Sequence, residues 1–392
     1  MAENTIALCL IVKDEEDFLE ACLSPLVDIC SKIIIVDTGS SDRTREIAAH
    51  YTNEIYSVPF DRDFSAVRNS ALQYVDTEWV LFLDADESFD AQQAAHLPVV
   101  VRNASADVLG YNVLRYDFFA TGGWFSARRL KIFRNDPRIR YRNTINEDVS
   151  QAILEAGGRI ENAPLILNHF GHCESLSRRE AKSLFYLGLL QERLLNEPYA
   201  GLRHSYVALQ LRNLRRYSEA LEYGRRAIRL DPASVKVRTF LGHILRATGD
   251  ILGARSVYLE AIALNTRPKD GSNGALWNLV GVMDLILHEL DAAASCFQKA
   301  LAVDPQLVHV LINQGLIAET KNEYSEALDL YHKAAEINPA FLRNDPKGRL
   351  EDDPYRSLRY ETIPQYAGLG YHIGYCEWQR RGQTEDLPKY LG

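Results

Sequence analysis

The stretch WVLFLDADE, residues 79–87, sets the reading of this chain. Five apolar residues run without a polar break and stop at Asp84 and Asp86, two carboxylates with a single residue between them. Working outward, IALCLIV (6–12) and IIIVD (33–37) are apolar, β-branched runs of strand length, and helical patterns over Glu16–Val27 and Ala66–Tyr74 separate the three. Uninterrupted apolar runs alternating with amphipathic helices predict strands buried on both faces of a parallel sheet, joined by crossover helices. Such sheets bind ligands beyond the carboxyl ends of their strands, so the polar residues after each run are the candidates.

Each run is followed by acids: Lys13-Asp14-Glu15-Glu16, then Asp37-Thr38-Gly39-Ser40-Ser41-Asp42, then Asp84-Ala85-Asp86-Glu87. Carboxylates gathered on one edge raise each other's proton affinity, and a divalent cation relieves that repulsion. Mg²⁺ or Mn²⁺ prefers oxygen ligands and commonly sits between one or two carboxylates and substrate phosphates, which implies a nucleoside diphosphate substrate. The bland alternative is that Asp84 and Asp86 cap the next helix.

The second half repeats. RRYSEALEYGRRAIRLDP, ELDAAASCFQKALAVDP and NEYSEALDLYHKAAEINP share one pattern, and its equivalent points are Pro198, Pro232, Thr266, Pro305 and Pro339. Every step but the third has the same length, about 34 positions. The third is longer by five, and the loop PKDGSNG (268–274) absorbs the difference. Alanines at 220, 254, 293 and 327, and again at 227, 261, 300 and 334, stand where a second helix must approach the first, with Gly242, Gly281 and Gly315 as the small residues of the first helix and Trp277 as an aromatic anchor. This period with this pattern resembles the tetratricopeptide family over residues 199 to about 341: four clear repeats, with a degenerate one before Pro198. Arrays of this kind present a concave binding surface.

LCLIVKDEE (8–16), IIIVDTGSSDRT (33–44), FSAVRNSAL (64–72) and WVLFLDADE (79–87) together resemble the family 2 glycosyltransferases of the nucleotide-sugar-binding A-type fold. With the repeats, the chain is similar to bacterial peptide and protein glycosyltransferases that include bacteriocin S-glycosyltransferases. The fold class implied is α/β plus all-α: a Rossmann-like mixed sheet followed by a helical solenoid. The boundaries expected are 1–174 for the transferase, 175–341 for the repeats and 342–392 for a C-terminal segment.

The resemblance implies residue roles. Asp37 meets the donor base, its acceptor-only carboxylate suiting the imide N–H of uracil. Asp14 and Glu15 lie at the donor, Asp86 coordinates the metal, and Asp84 serves ribose or metal. Arg68 offsets phosphate charge through its fork of donors or pairs with one of the acids. In GGWFSARRLKIFRND, Trp124 is an acceptor-stacking or core residue, and Arg128 and Arg129 are diphosphate or surface residues. Glu147-Asp148 resembles the acidic pair that supplies the catalytic base, although Asn146 stands where the repeat-fused subset usually has His, and the choice between the two acids stays open. His169, after the strand-like IENAPLILN, is a metal ligand or a structural histidine, and His172 is a weaker candidate. The activity implied is inverting transfer from a nucleoside diphosphate sugar, with Mn²⁺ or Mg²⁺, to a peptide or protein held by the repeats. Other readings are a tetratricopeptide interaction protein with a degenerate transferase domain, or transfer to a glycan or small molecule. A nucleotidyltransferase would need a glycine-rich phosphate loop after the first strand, where KDEED stands instead.

Composition bounds the partners. The 392 residues are 46% hydrophobic and 25% charged, an ordinary globular balance. With 44 basic and 53 acidic side chains the formal charge is −9, which argues against a nucleic-acid binder. Six cysteines at irregular spacing suggest neither zinc site nor disulfide framework, and no apolar run reaches membrane-spanning length, so a reducing cytoplasm is the expected compartment. The last fifty residues are rich in aromatics, including Tyr355, Tyr360, Tyr366, Tyr371, Tyr375 and Trp378, and serve as a cap on the solenoid or as a homodimer or acceptor contact.

Overall fold

The computed structural model describes residues 5–119, 123–173, 176–265, 272–343, 361–363 and 366–382. Gly122, Tyr355, Tyr360 and positions 268–271 of the long loop lie outside them. The chain divides into two compact units, the first made of Met1–Asp117 and Ser126–Gly171, the second of Phe118–Phe125 and His172–Gly392.

In chain order the first half runs β1 (Ile6–Val12), α1 (Leu19–Leu23), β2 (Lys32–Asp37), α2 (Thr44–Ala49), β3 (Ile55–Ser57), α3 (Phe64–Leu72), β4 (Trp79–Asp84), β5 (Glu87–Ser88), α4 (Ala91–Arg102), β6 (Val108–Phe119), β7 (Trp124–Arg134), α5 (Ser150–Glu155) and β8 (Arg159–His172). The strands form one sheet in the order β3-β2-β1-β4-β7-β6-β8-β5. β1 pairs in parallel with both β2 and β4, whereas β4 meets β7 and β5 meets β8 antiparallel, so the sheet is mixed. Leu8 and Leu10 face one core layer with Leu23 and Leu97, while Ala7 and Cys9 face the other with Val67 and Ile153. Burial on both faces is why these strands read as unbroken apolar runs. α1 fills only part of the expected 16–27 helix, since Pro25 has no N–H to continue it.

Register delivers the acids to one edge. Val12 is opposite Asp37, and Ile11 is opposite Asp84, so β1, β2 and β4 end side by side.

The second unit holds α6 (Leu176–Asn196), α7 (Gly201–Asn213), α8 (Tyr217–Leu230), α9 (Val235–Ala247), α10 (Ile251–Leu264), α11 (Ser272–Ile286), α12 (Leu290–Val303), α13 (Val308–Thr320), α14 (Tyr324–Ile337), α15 (Ala340–Arg343) and α16 (Leu369–Arg380). The four expected repeats are the helix pairs from α7/α8 to α13/α14, and the segment before Pro198 is the single helix α6 rather than a further pair. All eight repeat alanines are fully buried. Gly242, Gly281 and Gly315 sit under the aromatic rings of Tyr258, Phe297 and Tyr331 from the partner helices. A Cβ on Gly242 would stand 2.2 Å from the buried Tyr258 ring, whose hydroxyl is also bonded to His243 at 2.9 Å. Gly242→Ala gains about 1 kcal/mol of helix propensity but incurs an overpacking cost at the upper end of the usual range, about 3 kcal/mol, because the pinned ring cannot move aside. A melting curve several degrees below wild type is expected, and an unchanged or raised midpoint would contradict the close packing.

At the far end α16 lies on α14. His372 Nδ1 meets Glu319 Oε2 at 2.9 Å, Tyr324 and Tyr375 pack edge to face, and Tyr366 stacks on His372. No described helix is long and apolar enough to cross a membrane.

Candidate active site

The loops after β1 and β2 are stitched together by the acids themselves. Asp14, in the left-handed region at φ 54°, accepts from Ser41 N at 2.7 Å, and its own N–H reaches Ser40 Oγ at 3.0 Å. Glu15 N donates to Thr44 Oγ1 and Glu16 N to Asp42. Asp37 is buried and accepts from Ser40 N and Arg45 Nη1, both at 3.1 Å. Burial alone would raise its pKa, but the hydrogen bonds from Ser40 and Arg45 hold it below the usual carboxylate range.

Helix α3 positions the next group. Asp63 caps it by accepting from Ala66 N, Ser65 Oγ donates to Asn143 O, and the Asn69 amide exchanges two hydrogen bonds with the Tyr141 backbone at 2.9 and 2.8 Å. These contacts fix the 141–148 loop over α3. Arg68 then reaches two acids that are remote from each other in sequence: Nη2 to Asp84 at 2.7 Å and Nε to Glu147 at 2.7 Å, with its guanidinium 4.7 Å above the Phe82 ring. Asp148 is placed differently. It is exposed and accepts from Ser150 N and Oγ at the start of α5, an Asx-turn arrangement.

Beneath Asp84 lies a charged layer that sequence reasoning missed. Lys131 on β7 stands 3.3 Å from Asp84 and 2.7 Å from Glu87; Arg115 on β6 joins Glu87 at 2.7 Å and Asp117 at 2.8 Å. Glu87 and Asp117 are fully buried, and Glu87 also accepts from Asp84 N at 3.0 Å. Desolvation disfavours an ionised Asp84, yet Lys131 and Arg68 hold its carboxyl well below the usual range. The detectable signal was Arg115 and Asp117, two opposite charges two residues apart on one face of a largely apolar strand.

The β5–β8 pairing sets Glu87 opposite His169, and Phe170 N donates to Asp86 O at 2.9 Å. His169 Nε2 thereby lies 3.2 Å from Asp86 Oδ2 and Nδ1 2.5 Å from Asp117 Oδ1. Desolvation pulls the imidazole pKa down and Arg115 adds to that, but Asp86, with Asp117, outweighs both and pushes it up to about 10. The same strand supplies Gly171, where a Cβ would stand 2.1 Å from Asp86 Oδ2 and 2.8 Å from His169 Nε2. Only glycine lets the strand run this close to both groups, and an Asp oxygen beside an imidazole nitrogen that gives up its proton on binding is a donor set suited to a small divalent cation.

Of the remaining candidates, Arg128 is half-buried and its neighbour Arg129 exposed, as alternation along β7 requires. His172 stacks on Phe119 in the second unit, at 4.9 Å between ring centroids. Trp124 is fully buried, edge-on to Phe341 and Tyr366, so the indole is a packing anchor and offers no face for stacking an acceptor.

Residues 7–156 match the glycosyl transferase family 2 model, and residues 208–270 and 287–340 match a tetratricopeptide repeat model. The chain is 28% identical over 343 residues to a tetratricopeptide repeat-containing protein of Synechococcus elongatus, covering 85% of this chain and 76% of that one. It is 26% identical over 227 residues to the SPbeta prophage-derived glycosyltransferase SunS of Bacillus subtilis, covering 57% of this chain and 53% of SunS. With the lipopolysaccharide core biosynthesis glycosyltransferase LpsC of Rhizobium meliloti it shares 27% over 157 residues, 38% of this chain and 56% of LpsC. The matches thus span about half the length of these two glycosyltransferases. Asp37, Asp84, Asp86 and Glu147 fall within the first matched segment and helices α8–α10 and α12–α14 within the other two, and the chain carries a family 2 glycosyl transferase domain followed by tetratricopeptide repeats.

Proposed function

We propose that this protein is a metal-dependent inverting glycosyltransferase that moves a sugar from a uridine diphosphate sugar to a peptide or protein acceptor. The observation that carries the reading is the edge formed by Asp37, Asp84 and Asp86, with Arg68 joining Asp84 to Glu147. Asp86 and His169 would hold Mn²⁺ or Mg²⁺, with Asp84 beside them. Such a cation compensates charge on a departing diphosphate.

The chain's own residues do the rest. Asp37 retains lone pairs beyond those taken by Ser40 and Arg45 and receives the uracil N–H. Arg68 and Lys131, already gathered on Asp84, counter the charge of the leaving nucleoside diphosphate. Glu147 takes the proton from the acceptor nucleophile as that atom attacks the anomeric carbon, and this single displacement inverts its configuration. Glu147 is half-buried and joined through Arg68 to Asp84 on the acidic edge, whereas Asp148 is exposed and turned to Ser150 at the start of α5, which favours Glu147 as the base.

Glu147→Gln is expected to lower kcat by about 10²–10⁴ with little change in donor affinity. Asp148→Asn is expected to stay within about threefold of wild type, since general-base catalysis does not pass through it. The reverse order in steady-state kinetics would move the base to Asp148. The whole reading is tested by thermal shift with a panel of nucleotide sugars, with and without Mn²⁺. One donor should raise the midpoint by about 5 °C or more near hundredfold saturation, and only with the cation. Equal, negligible shifts across the panel would leave an interaction protein.

A further inference from the structure

The first helices of the pairs, which line the concave side of such arrays, have many of their polar residues already buried. Arg212, His243, Arg246, Asn278, His309 and Asn313 on α7, α9, α11 and α13 are all buried. Over α13 the cover belongs to the chain: Asn313 Nδ2 donates to Glu361 O at 2.9 Å, and Glu361, Thr362 and Tyr366 are themselves buried. An incoming peptide would have to displace core residues over α13, whereas α8, a second helix, presents exposed side chains along its length.

Charge divides the array. Residues 201–250 carry ten Lys and Arg against four Asp and Glu, a net +6, and residues 272–337 carry three against nine, a net −6. Within the basic half most cations are committed: Arg215 to Glu180, Arg216 to Glu219, Arg238 to Glu260, and Lys236 to the Tyr206 hydroxyl. Arg225, Arg226 and Arg229 on α8 are exposed and make no ion pair among the described residues. Arg225 and Arg229 repel each other one turn apart, and among the described residues Glu222 forms no ion pair with its neighbours Arg225 and Arg226. Arg225 and Arg229 border a shallow cleft of about 450 Å³ whose other walls are Ser218, Leu221 and Glu222.

We propose that this face of α8 docks an acidic segment of the acceptor protein, its carboxylates held by the forks of Arg225, Arg226 and Arg229 and an apolar side chain seated on Leu221. That the docked protein is the acceptor rests on the transferase reading above; the binding itself does not. Docking outside the transferase unit raises the local concentration of the residue to be modified without adding contacts at the reacting atoms.

The test is fluorescence anisotropy on the full chain with a labelled twelve-residue peptide of alternating Glu and Leu and its Gln counterpart. The Glu peptide is expected to bind at least about tenfold tighter, to weaken about tenfold between 50 and 300 mM salt, and to be lost in Arg225→Glu/Arg229→Glu. That variant should melt as wild type does and keep its donor-induced thermal shift, because both side chains are solvent-exposed. Equal binding of the two peptides, or retained binding by the variant, overturns the proposal. A salt-sensitive dimer in sedimentation that the double variant abolishes also overturns it, by giving the face to the acidic repeats of a second copy. Absence of any donor shift in wild type would sink the transferase reading while leaving the peptide result readable.

Discussion

Asp86→Ala is expected to remove cation-dependent donor turnover, with kcat/KM falling by at least about 10³. A cation compensating leaving-group charge supplies several kcal/mol in a closed site, and each step of about 1.4 kcal/mol is tenfold in rate. In the proposed reading Asp86 is the carboxylate on which that depends, since Asp84 already carries Arg68 and Lys131, whereas Asp86 faces His169 beside Gly171. Two readouts separate this from misfolding. The ligand-free melting midpoint should fall by only a few degrees, because His169, unlike Lys or Arg, can shed its proton and keeps Asp117 as a partner, and the Mn²⁺-dependent part of the donor-induced shift should vanish. A variant that still turns over donor in a Mn²⁺-dependent way would place the cation elsewhere.

Glu87→Gln should give the largest loss of stability. The side chain is fully buried and neutralises Lys131 and Arg115 at 2.7 Å each. Removing one partner of a buried ion pair costs about 3–5 kcal/mol, and Asp84 and Asp117 remain to share the stranded cations, so the low end of that range applies. At about 2–4 °C per kcal/mol for a unit of this size, the midpoint should drop by about 6–12 °C. Glu87→Gln/Lys131→Met should recover part of that loss, because the double change removes charge from both sides. If Glu87→Gln melts within about 2 °C of wild type, the layer is not electrostatically coupled.

How much could be read from the sequence follows from burial and range. β1, β2 and β4 were legible because both their faces are covered, and the acids at their ends because register in a parallel sheet keeps strand ends level. The helix pairs were legible because their small residues recur at a fixed period, with a glycine under an aromatic ring in three of the four. Arg115, Asp117 and Lys131 were not, since a charge inside a strand acquires a role only once a neighbouring strand brings its partner, as β8 brings His169 to Asp117. The same limit left Glu147 and Asp148 indistinguishable as neighbours in the chain. Ser150 holds Asp148 locally, whereas Glu147 is held by Arg68, which is distant in sequence. The burial of Trp124 was illegible for a related reason, because its cover comes from Phe341 and Tyr366, far downstream at the end of the array.

The membership of Phe118–Phe125 in the second compact unit bears on how this protein can be dissected. A fragment ending at Gly171 keeps the whole acidic strand-end edge but strips Trp124 and Phe118 of Phe341 and Tyr366, leaving two large rings bare in water at the tip of a hairpin. Such a fragment would clump unless that tip were trimmed with it, so the boundary between the halves is a double cut rather than a single one.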